Sequence, residues 1–192
     1  MKRLVVLVGL PGSGKTAFQK RHPEWAIVSK DVIRRGIFHC NHAPEYEDVV
    51  DRIFASTLVE VIDSDAEVVC VDDLNLTRDA RDKLIELARL AGREAIAYVM
   101  PFEPLGELFA RTQQNLERLS ASDPDVRVTE LSRARFAELV RSYHPLDVRE
   151  GFARVERETL LDSAAASCPT SPERVRRKKR IERRQPLPLF VP

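Results

Sequence analysis

The residues with the clearest chemistry lie near the start of the chain. Gly9-Leu10-Pro11-Gly12-Ser13-Gly14-Lys15-Thr16 matches GxxxxGK[ST] at every fixed position. Glycines let backbone N–H groups turn inward around phosphate oxygens, where a Cβ would obstruct them. Lys15 is placed to bridge the terminal phosphates of a triphosphate, and the Thr16 hydroxyl to ligate magnesium. A helix opening straight after the loop adds its partial positive charge. The expected ligands are therefore ATP and Mg2+, seated by Gly9, Pro11, Gly12, Ser13, Gly14, Lys15 and Thr16.

Carboxylates recur where apolar runs end. Asp31 lies just beyond Trp25-Ala26-Ile27-Val28, and Asp72-Asp73 closes Val68-Val69-Cys70-Val71. In open α/β sheets, ligands bind at the carboxyl ends of the strands. A carboxylate after an apolar strand suits a Walker B role, holding magnesium or its water. Strand position favours Asp72 for the metal. Asp73 would then face the acceptor side, placed to steady Arg34, although a loop can re-aim either neighbour. Arg34 shares a helix face with Asp31, three residues before it.

These side chains need a frame, and the periodicity supplies one. Leu4–Val8 reads as a buried strand, followed by a helix from the glycine loop to about Arg21. Trp25–Val28 is a second strand, and Asp31–Ile37 a short helix with Asp31 as its N-cap. His39–Pro44 is a loop. A long helix follows, with Val49, Val50, Ile53, Phe54, Leu58, Val61 and Ile62 on its apolar side. Val68–Val71 is a third strand and Asp72–Thr77 a loop. Arg78–Ala91 is a helix stopped by Gly92. Ala95–Val99 is a fourth strand, Pro104–Leu119 a helix, Ser120–Arg127 a polar loop or lid, Ser132–Arg141 a helix, and Phe152–Val155 a last short strand. Strands alternating with helices predict an α/β fold, an open, mostly parallel sheet with helices on both faces.

With these segments in place, the chain resembles the P-loop kinase domain of phage-type polynucleotide 5′-hydroxyl kinases, whose outline zeta-toxin-like and other small P-loop kinases share. Three segments carry the resemblance: Gly9–Thr16, Ser29-Lys30-Asp31-Val32-Ile33-Arg34, and Val71-Asp72-Asp73-Leu74-Asn75-Leu76 with Arg81 downstream. It covers roughly Lys2–Val155 and departs at Leu74, where the family often has threonine. It implies that Asp31 accepts or orients the proton of the attacking hydroxyl, and that Arg34 touches the acceptor's phosphate. In the lid segment, Arg111 matches the family pattern, while the later arginine falls on Asn115 or moves to Arg118, about one helical turn on. Arg111 and Arg118, with Arg127 as a further candidate, would meet the charge developing on the transferred phosphoryl group.

The rest of the chain bounds these expectations. The chain has 192 residues and a net charge of +1, but Glu173–Arg184 alone carries about +6, leaving about −5 elsewhere. We expect a kinase domain over residues 1–160 and a basic, Pro-containing flexible tail over 161–192, able to meet a phosphate backbone. His39, Cys40 and His42 lack a second ligand pair for a tetrahedral metal site. Cys40, Cys70 and Cys168 show no CxxC spacing; Cys70 is expected as a buried thiol, and a reducing, cytoplasmic compartment fits. No apolar run reaches the roughly 18–20 residues that cross a bilayer. The favoured acceptor is the 5′-hydroxyl of RNA or DNA. The rivals are a small-molecule kinase, acting on a nucleoside, sugar or antibiotic, and a nucleotide-gated RNA-binding protein without transfer activity.

Overall fold

The structure, a computed structural model, describes residues 1–158. The expected tail, with its basic cluster and Cys168, lies outside the described residues.

Five parallel strands form one sheet in the order β2-β3-β1-β4-β5. They are β1 (Arg3–Val8), β2 (Ala26–Ser29), β3 (Val68–Asp72), β4 (Glu94–Val99) and β5 (Arg154–Arg157). The helices are α1 (Lys15–Gln19), α2 (Lys30–Phe38), α3 (Glu47–Asp63), α4 (Arg78–Leu90), α5 (Leu105–Ser122) and α6 (Arg133–Arg141). Short 3-10 turns occupy Pro44–Tyr46 and Val148–Glu150.

β1 is apolar without alternation because both of its faces are covered. Leu4, Val6 and Val8 meet Phe54, Leu58 and Ile62 of α3 and Leu84 and Ala88 of α4. Val5 and Leu7 meet Phe18 of α1, with Cys70, Met100 and the partly buried Trp25 and Tyr98. Val50, Phe54, Leu58 and Ile62 recur every four residues, so α3 buries one stripe. A third cluster, Leu10, Leu76, Leu108 and Phe136, seats α5 and α6 over the loops at the carboxyl edge.

Several element boundaries move. Helix α1 stops at Gln19, two residues short of Arg21, so its five residues add only a modest dipole. Strand β2 runs directly into α2, which makes Ser29 the N-cap and puts Asp31 inside the first turn. Helix α5 continues to Ser122, and the lid loop therefore begins at Asp123. β5 starts two residues later than expected, at Arg154, although Ala153 N already donates to Ala95 O. Cys40 and Cys70 are free, buried thiols, and burial pushes the Cys70 thiol up. Among the described residues, no helix is long and apolar enough to cross a membrane.

Candidate active site

The glycine loop leaves the end of β1 and is tied across the sheet by Gly9 N donating to Leu74 O at 3.1 Å. Gly12 and Gly14 adopt φ of +77° and +98°, which a Cβ would strain. Space matters as well at Gly12, where an added Cβ would run into the Leu108 carbonyl and stand 2.7 Å from Thr112 Oγ1. Helix α5 thus leans directly on the loop. Ser13 Oγ is buried without a hydrogen-bond partner, an orphaned polar atom of the kind a bound oxyanion satisfies. Lys15 Nζ donates to Gly9 O at 2.6 Å and Leu10 O at 3.0 Å. Burial holds the Lys15 ammonium below its ordinary pKa, with Asp72, Asp31 and Asp73 opposing that shift. The residues fit a triphosphate: inward glycine backbone, one partly desolvated ammonium and an unpartnered hydroxyl.

The candidate magnesium residues are Thr16, exposed in the first turn of α1, and Asp72, at the end of β3. Ser29 Oγ donates to Asp72 Oδ2 at 3.0 Å across the β2–β3 register. Burial pushes the Asp72 carboxyl up, the Asp31 charge adds to that, and Gln19, Lys15 and Ser29 pull it back. The Gln19 amide reaches toward Asp72, yet its buried nitrogen completes no bond of good geometry. A divalent cation would stabilise the ionised carboxylate there, so the donor set fits magnesium.

The residues expected to face an acceptor are held in ion pairs. Arg34 Nη1 donates to Asp31 Oδ1 at 2.7 Å. Its other edge grips Glu47, Nε to Oε1 at 2.9 Å and Nη2 to Oε2 at 2.7 Å. Asp73 does not hold Arg34. Its Oδ2 lies 2.9 Å from Lys30 Nζ, which also reaches Asp51 Oδ1 at 2.8 Å, while its Oδ1 accepts from Leu74 N. Burial works against the Lys30 charge, but Asp73 and Asp51 together raise its pKa. Lys30, Glu47 and Ser29 were missed as site-builders. Ser29 and Lys30 stand inside the Ser29–Arg34 segment, so their place was visible and only their partners were not.

The lid arginines are dispersed. Arg111 sits beside Thr112 on α5 and pairs with Glu107 at 3.2 Å. Arg118 shares its face two turns further on, exposed and without an ion-pair partner among the described residues. Arg127 is engaged elsewhere. Its guanidinium pairs with Glu45 at 2.8 Å and its amide donates to His39 O at 2.7 Å. Asn41 and Thr129 add bonds in both directions across the same seam. No three-residue His, Cys, Asp or Glu cluster fit for a metal exists among the described residues. Asn75 closes a turn at φ +49° and donates to Leu7 O at 2.8 Å, pinning the β3 loop to β1.

Comparison with known proteins agrees with this geometry. Kti12 of Chaetomium thermophilum, solved in complex with ADP-AlF3, superposes with a TM-score of 0.57 at 18% identity, over 84% of this chain and 92% of that one. The PezAT toxin–antitoxin system of Streptococcus pneumoniae gives 0.59 at 16% identity, over 82% and 68%. The Pnkp1/Rnl/Hen1 RNA repair complex gives 0.58 at 19% identity, over 73% of this chain and 43% of that one. At such identities the likeness is one of fold alone, an open, mostly parallel sheet with helices on both faces. No curated protein matches the sequence. Residues 4–139 match the family described as AAA domain, and the chain, with its glycine loop and Asp72 at the heart of the matched span, belongs to that family.

Proposed function

We propose that the chain is a magnesium-dependent kinase that moves the γ-phosphoryl group of ATP to a hydroxyl. One observation carries the reading: Lys15, partly buried against the carbonyls of Gly9 and Leu10, lies in the field of Asp31, Asp72 and Asp73 together. A phosphate seat, a metal carboxylate and a base therefore share one sheet edge. Magnesium, when bound by Thr16 and Asp72, supplies charge neutralisation at the β- and γ-phosphates. The loop amides and Lys15 hold the donor. Asp31 takes the proton of the acceptor hydroxyl as its oxygen bonds to the γ-phosphorus and the bond to the bridging oxygen of ADP breaks. Arg34 orients the Asp31 carboxylate. Arg111, next to the loop-packing Thr112, is the better placed lid cation.

The finer reading names the acceptor as the 5′-hydroxyl of RNA or DNA. The resemblance of Ser29–Arg34 to polynucleotide kinases supports it, as does the basic run of residues 173–184, an arm for phosphate backbone beyond a domain of residues 1–160. The free Cys40 and Cys70 fit a reducing, cytoplasmic setting. A second reading, an uncharged small-molecule acceptor, draws on a specific contact: the fork of Arg34 is already taken by Glu47.

Asp31→Asn tests the chemistry. Transfer from labelled ATP should fall by roughly 100- to 10,000-fold while magnesium–ATP binding persists. Unchanged transfer removes Asp31 from the mechanism. An acceptor panel then separates the readings: label on a nucleoside or sugar but never on a 5′-hydroxyl oligonucleotide favours the small molecule. Binding of ATP with no transfer to any acceptor favours the nucleotide-gated binding protein.

A further inference from the structure

Glu47 opens α3 opposite the helix that carries Asp31. Its carboxylate accepts from Arg34 Nε and Nη2, and Nη1 donates to Asp31. His42 Nδ1 stands 3.2 Å from the same Glu47 oxygen. Hydrogen bonding from Arg34 holds the Glu47 carboxyl below its ordinary pKa despite burial, so it stays ionised at neutral pH. A planar, two-pronged contact is also how a guanidinium takes a phosphate. One of the two edges by which Arg34 can fork a phosphate is therefore occupied by a carboxylate of the chain itself, and the other is shared with Asp31.

We infer that Glu47 is a specificity-determining residue of the acceptor site, its carboxylate competing with an acceptor's phosphate for the fork of Arg34. The inference rests on the kinase reading of Asp31 and Arg34. A tethered competitor acts at a high effective concentration. It weakens an incoming ligand by the fraction of molecules in which the fork is free; held nine times in ten, the fork costs a phosphate-bearing acceptor about tenfold in affinity. An acceptor without phosphate needs no fork and is unaffected. Lys30, the neighbouring cation, offers no substitute, since Asp51 and Asp73 hold it. Arg35 turns its Nε to the Asp31 backbone oxygen at 3.2 Å and makes no carboxylate contact among the described residues.

The test uses the full chain, labelled ATP with magnesium, and two acceptors: a nucleoside and the same nucleoside carrying a 3′-phosphate. Glu47→Gln keeps the side-chain shape and removes the charge. The expected result is a ratio of the 3′-phosphate KM to the nucleoside KM about tenfold lower than in wild type, whatever change in kcat is common to both acceptors. Glu47→Ala should move the ratio of the two KM values in the same direction. An unchanged ratio overturns the inference, and points to Arg35 or another cation as the phosphate contact. A parallel rise in both KM values, which a purely structural Glu47 would cause, overturns it too. Silence with both acceptors and all three proteins, while magnesium–ATP still binds, removes nucleoside acceptors from the kinase reading and overturns the inference with them.

Discussion

Two arginine–glutamate forks in this chain share nearly the same geometry and differ in their surroundings. Arg81 and Glu150 meet at 2.7 Å through both prongs, and Arg34 and Glu47 at 2.9 and 2.7 Å. The first pair is 0% and 1% exposed, the second 14% and 26%. Arg81 also donates to the carbonyls of Asn75, Leu76 and His144, and Glu150 accepts from Asp147 N. That network fastens the loop after Asp72 and Asp73 to the turn before β5. A buried charge that loses its partner has nothing to replace it. A half-buried one can exchange its partner for water or a ligand at small cost. Burial, rather than the pairing itself, makes one fork a joint and the other a contact available for exchange.

The comparison can be broken first at the joint. Arg81→Met leaves Glu150 ionised and alone, and should cost about 3–5 kcal/mol of stability, read as a fall in the denaturant midpoint. A loss below about 1 kcal/mol would place the buried fork with ordinary surface pairs. Acid sharpens the point. Burial raises the Glu150 carboxyl, and Arg81 more than offsets it, so the folded value lies below the ordinary 4.5. The stabilisation is thus present above about pH 4.5 and is lost as pH falls through the lower folded value. Glu150→Gln should start from a lower midpoint and show a flatter acid limb; parallel limbs would deny the pair its part in acid unfolding. The smallest effect belongs to the other fork. Glu47→Gln should shift stability by less than about 1 kcal/mol, and a much larger loss would make it a joint as well.

Much of this was legible from residue order. The apolar runs of β1 and β3 and the four-residue stripe of α3 state their burial directly, and GxxxxGK[ST] prescribes both its backbone and its ligand. Asp31 and Asp72 reach the carboxyl edge because their strands end there. What stayed hidden are partnerships across sequence distance. Glu47 is 13 residues from Arg34, and Asp73 is held by Lys30 from the neighbouring strand end. Such contacts depend on how α2 packs against α3, which periodicity does not encode. Arg81 stood in the motif yet gave no sign of being buried, since arginine on an amphipathic helix usually faces water. Arg127 read as a lid cation, and only the fold shows that it belongs to the seam with Glu45.

That seam has a consequence of its own. Bonds at Arg127, Asn41 and Thr129 strap the segment between α5 and α6 to the residues just past α2. At one end of the strap α5 rests on Gly12; at the other, α2 bears Asp31. A shift of α5 against Gly12 would therefore pull on α2 through these bonds. Were the two ends coupled in this way, ligands at either would change the other's affinity by the same factor, through a handful of bonds made largely by the side chains of Arg127, Glu45 and Asn41.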